Sequence, residues 1–104
     1  MEQLITETLG YARDHFTAFG LETAQVDALL VAGERDLRKE LLQLKALAEA
    51  VPMDNDKVAQ SLHALKGLLM NMGNNSAGQV FAELETAFKA TREVAGILAL
   101  LAAG

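Results

Sequence analysis

Two histidines occur in the 104-residue chain, His15 and His63. Only His63 stands among residues that suit chemistry. In "SLHALKG" it is followed by Lys66 at +3 and Gly67 at +4, with Gln60 three positions before it. On a helix, positions three and four apart share a face. The imidazole therefore has an ammonium, an amide and a glycine within one turn. An imidazole of ordinary pKa, about 6.5, is largely neutral at pH 7 and offers one ring nitrogen as a nucleophile. Between Lys57 and Ala82 the sequence contains no acidic residue, in a chain where acids outnumber bases. A negatively charged group on His63 would meet no carboxylate nearby in sequence and would have Lys66 within reach. Gly67 costs a helix interior about 1 kcal/mol relative to Ala, and its missing side chain lets a partner's backbone approach. Gly10, Gly33 and Gly96 also fall in helical stretches, so the glycine is informative only with its neighbours. Phosphoryl transfer suits this set, because it asks for positioning and charge neutralisation more than for covalent machinery.

The elements that must hold these residues are helices. Hydrophobic residues make up 51 % of the chain, many of them Ala and Leu, with one proline and few aromatic residues. The first helix is expected from about Glu2 to Ala18, with Ile5, Leu9, Ala12, Phe16 and Phe19 along its apolar face, ending at Gly20. The second runs from about Thr23 to Ala50, with a stripe of Val26, Leu30, Gly33, Leu37, Leu41, Leu44 and Ala48 and a possible bend at Gly33. Its "ERDLRKE" run reads as a solvated face of i,i+4 pairs rather than a docking patch. "VPMDND" then breaks the pattern, since Pro52 cannot sit in a helix interior. Asp54 or Asp56 can cap a third helix that runs to about Met72, and Gly73 suits its left-handed end. Ser76 and Gln79 have capping-box spacing for a fourth helix, expected to continue to about Ala102 through Phe81, Leu84, Phe88, Thr91, Ala95 and Leu98. The Val94–Ala103 run would be its end, packed on the first helix, with a dimer contact as the lesser reading. The expected fold is all-α, one domain over residues 1–104, an antiparallel up-down four-helix bundle.

At about 100° per residue, the third helix places Val58, Leu62, Leu65, Leu69 and Met72 on one core stripe. His63 falls nearly opposite, with Gln60, Ala64, Gly67 and Met70 on its half and Lys66 on the flank. A core histidine is thereby excluded. His15 lies beside the apolar stripe of the first helix and reads as a boundary residue. Met70 is expected to be exposed and Met72 to be core.

The residues "LHALKGLLMNMGNNSAGQVFAELE" resemble the signature of histidine-containing phosphotransfer (HPt) domains of bacterial two-component phosphorelays. The matching positions are His63, Lys66, Gly67 and Gly73, followed by Ala77, Phe81 and a Leu84–Glu85 pair. The similarity covers roughly Leu21 to Phe88. It implies that His63 accepts a phosphoryl group through Nε2 from the aspartate of a response-regulator receiver domain and passes it to another receiver. Lys66 would steady the phosphoryl oxygens, Gly67 would clear space for the receiver, and Gln60 would be a polar neighbour. The magnesium ion and acidic pocket would belong to the receiver, so this chain would need no cofactor of its own. It would be a phosphoryl carrier without an ATP site rather than an enzyme, partnered by receivers and a hybrid histidine kinase. Leu68, Leu69 and Met70 depart from the small residues usual in the family after the glycine, which bears on partner choice. The alternative is a helical adaptor of the same fold that binds receivers or kinases without being phosphorylated; a plain structural bundle is the third reading.

Several function classes are disfavoured. A net charge of −5 without a basic stripe makes a poor nucleic-acid binder. Without cysteine there is no disulfide or thiol chemistry. Two histidines without a Glu-x-x-His pair do not build a metal site of the carboxylate-bridged bundle type. The N-terminus is unlike a signal peptide, and the apolar tail is shorter than the roughly 20 residues that span a bilayer. A soluble, cytoplasmic, monomeric protein is the expectation, and Met1 with the small size points to a free-standing one.

Overall fold

Apolar residues at helical spacing, interrupted by a few capping residues, generate five helices over residues 1–104 of the computed structural model. They are α1 (Glu2–Ala18), α2 (Thr23–Glu49), α3 (Asn55–Asn71), α4 (Asn75–Thr91) and α5 (Ala95–Ala102), and there is no strand. The architecture is a helical bundle. No helix is long and apolar enough to cross a membrane.

Each boundary has a local cause. Gly20, at φ +84°, ends α1, and its N–H donates to the Thr17 carbonyl. Glu22 and Gln25 form a capping box at the start of α2, which the sequence reading did not pick out. α2 is continuous through Gly33, whose bare Cα seats the Met72 side chain: a Cβ there would lie 2.7 Å from Met72 Cε. Of the two candidate caps for α3 it is Asp54 that accepts from the Lys57 N–H, at 3.1 Å. α3 ends at Asn71, and Gly73 at φ +84° turns the chain.

Ser76 does not cap α4. Asn74 does, two residues earlier: its Oδ1 accepts from the Ala77 N–H at 3.2 Å, while its Nδ2 donates to the Thr8 hydroxyl at 2.8 Å. Both Asn74 and Thr8 are buried, so one amide side chain closes a helix start and ties it to α1.

The expected long fourth helix is two helices. Arg92, at φ +62°, stops α4, with its N–H on the Phe88 carbonyl at 2.7 Å. A left-handed non-glycine residue costs on the order of 1 kcal/mol. The turn lets Ile97 and Leu101 bury, each worth about 1.5–3 kcal/mol, and that outweighs the strain. α5 packs on α2, and Gly104 beyond it accepts from the Gln3 N–H beside the start of α1. Thr91 and Ala95, expected on the apolar stripe, are exposed in consequence.

The main core joins Leu37, Leu41, Leu44 and Ala48 of α2 to Val58, Leu62, Leu65 and Leu69 of α3, Phe81 and Phe88 of α4, Ile97 and Leu101 of α5, and Ile5 of α1. A second cluster joins Ala12, Val26, Leu30 and Met72. The expected stripes of α2 and α3 are therefore the observed ones. On α1, Thr8 takes a buried place, and Phe19 is 72 % exposed rather than part of the stripe. The "ERDLRKE" run is a solvated face in which Arg38 reaches both Glu34 on its own helix and Glu2 on α1. His15 is half-buried, edge-on to Phe19 and against Gly73, a boundary position as expected.

Candidate functional site

α3 and α4 lie against each other in antiparallel sense, as the facing of Met70 with Gly78 and of His63 with Glu85 records. Gly78 permits the close approach: a Cβ on it would lie 2.5 Å from Met70 Cγ and 3.4 Å from the Lys66 carbonyl oxygen. Met70 is thus half-buried between the helices and not the exposed contact residue expected from the wheel.

His63 is exposed as expected, its side chain 67 % accessible. Ala59, Ala64 and Gly67 surround it with little bulk. Gln60 is exposed one turn before it and lines the same shallow concavity, of about 450 Å³, together with Asp56, Glu85 and Lys89. Gly67 has nothing within 4 Å of the position a Cβ would take. Unlike Gly33, Gly73 and Gly78, it leaves space that no part of this chain fills. Lys66 is half-buried and forms no ion pair or side-chain hydrogen bond. The ammonium in the concavity belongs to Lys89.

The carboxylate that sequence neighbours do not supply comes from α4. Glu85 Oε1 lies 3.1 Å from His63 Nδ1, and Glu85 Oε2 accepts from Lys89 Nζ at 2.8 Å. Glu85 stands one turn from both Phe81 and Phe88, which are core, so its side chain is only 13 % exposed. That burial pushes its carboxyl pKa up. The hydrogen bonds and charges of Lys89 and His63 together outweigh it and hold the group below the usual carboxylate range. An ionised carboxylate only accepts hydrogen bonds. Nδ1 must therefore carry the proton, and in the neutral ring the lone pair lies on Nε2. Nε2 has no hydrogen-bond partner in this chain.

Of the residues singled out from the sequence, His63 and Gln60 line the concavity, Gly67 is open one turn from His63, and Lys66 does not line it; Glu85 and Lys89, which do line it, were not among them. The signal available was the Glu85–Lys89 i,i+4 spacing and the Leu84–Glu85 pair within the family-like stretch. No group of three or more His, Cys, Asp or Glu side chains is placed to hold a metal. Comparison of the chain with protein-family models, with curated proteins and with solved structures returned no match.

Proposed function

We propose that the chain is a histidine phosphotransfer protein, an up-down four-helix bundle with α5 appended, which relays a phosphoryl group between receiver-domain aspartates through His63. The observation that carries this reading is the exposed imidazole tied through Nδ1 to Glu85, which leaves the Nε2 lone pair open to a second protein. Nε2 attacks the phosphorus of an aspartyl phosphate on the first receiver. The P–N bond forms as the P–O bond breaks, and the aspartate leaves as its carboxylate. The ring, still protonated at Nδ1, becomes positively charged, and the Glu85 carboxylate stabilises that charge. Transfer to the second receiver is the reverse with a new carboxylate as nucleophile.

Lys66 balances charge on the transferring oxygens, Gln60 offers them a polar neighbour, and Gly67 clears room for the receiver backbone. The magnesium ion belongs to the receiver. The chain is a carrier and not an enzyme. A hybrid kinase and receivers are its partners, a cytoplasmic monomer its working form.

The test incubates the full chain with a panel of phosphorylated receivers and follows label. The wild type should acquire acid-labile, alkali-stable phosphate, and His63→Gln should acquire none while its helical circular dichroism is unchanged. Label that survives His63→Gln would overturn the site. Receiver binding without label would favour the adaptor. Lys66→Ala should slow transfer at least about tenfold with the fold retained.

A further inference from the structure

We propose that Lys89 sets the protonation state of His63 by sharing the Glu85 carboxylate with it. The inference rests on His63 being the phosphoryl acceptor, because only a neutral ring has a lone pair to offer.

The geometry is a three-member chain across α3 and α4. Lys89 Nζ takes Oε2 of Glu85 at 2.8 Å, and His63 Nδ1 meets Oε1 at 3.1 Å. The carboxylate is 13 % exposed, so water screens it little, whereas both of its partners are largely exposed. The other charged group lining the concavity is Asp56, from the first turn of α3; Lys66 flanks His63 on α3, and no charged side chain of α1, α2 or α5 lines the space. With Lys89 in place, the negative charge of Glu85 is already balanced, and the ring need donate only a neutral N–H. Without Lys89, the carboxylate is left with the ring alone and favours its doubly protonated form. Asp56 acts in the same direction. The doubly protonated ring has no nucleophile on Nε2. Lys89 is therefore a positioning residue that acts through Glu85.

Titrating the His63 ring by NMR in the full chain tests this without any partner. Lys89→Met should raise the midpoint of the ring's titration relative to the wild type. Lys89→Arg should match the wild type. Glu85→Gln combined with Lys89→Met should titrate as Glu85→Gln alone, since the route through the carboxylate is then gone. In the transfer assay, Lys89→Met should be slower than the wild type at pH 7 and should recover as the pH rises towards about 8.5. A Lys89→Met ring that titrates with the wild type would overturn the proposal. So would an effect of Lys89→Met that persists undiminished on the Glu85→Gln background. Should no receiver label the wild type, the phosphotransfer reading fails by itself, and the titration still decides the role of Lys89.

Discussion

Glu85 Oε1 stands 3.1 Å from His63 Nδ1, across the α3–α4 interface and 22 residues along the chain. The contact gives an otherwise free surface ring a fixed orientation and a defined tautomer. In the proposed transfer it also places negative charge where the ring would become positive.

Substitution at Glu85 should therefore affect transfer without affecting the exposed ring's accessibility. Glu85→Ala removes both the orientation and the charge, and the label-transfer rate should fall at least about tenfold. Glu85→Gln retains an acceptor for Nδ1–H and should fall less. Rates equal to wild type in both variants would remove Glu85 from the site.

The same contact predicts an acid dependence. The folded-state pKa of Glu85 is lowered, so its ionised form is favoured by folding. The stability this contributes is fully present above the unfolded carboxylate pKa, about 4.3, and is lost as pH falls through the lower folded value. Glu85→Gln cannot titrate. The stability gap between wild type and Glu85→Gln, measured by urea unfolding, should narrow as pH falls below about 4.3.

Two glycines should respond in opposite ways. Gly67 faces open space, so Gly67→Ala should stabilise the helix by up to about 1 kcal/mol. In the proposed relay, a bulky residue there should weaken receiver docking while leaving thermal stability intact. Gly78→Ala would press on Met70 and the Lys66 carbonyl. Overpacking of this kind destabilises by about 1–3 kcal/mol, and Met70→Ala on the same chain should relieve part of it. Denaturant midpoints for the single and double variants decide this.

Asn74→Ala removes a helix cap and strands the buried Thr8 hydroxyl. A loss of about 2–3 kcal/mol is expected from the cap and the buried hydrogen bond together. Ser76→Ala should change stability by less than about 0.5 kcal/mol, because Ser76 is exposed and caps nothing.

The helices, most of their breaks and the outward direction of His63 were legible in the sequence, because each depends on residues within a few turns. The apolar positions of α2 and α3 repeat at the helical period and are buried as that period requires. Gly20, Pro52 and Gly73 mark turns through their own backbone chemistry. Other features depend on where two helices meet, which no single helix encodes. "KATREVAGILALLA" contains no proline and only one glycine, so nothing local requires the stop at Arg92; burial of Ile97 and Leu101 against the rest of the core does. Met70 reads as exposed until Gly78 brings α4 close enough to cover it. His63 reads as remote from any carboxylate until the α3–α4 register sets Glu85 beside it. The sequence by itself determined that an imidazole faces outward from a helix. Tertiary packing alone decided which charges surround that ring, because a charge acts through distance in space and not through position along the chain.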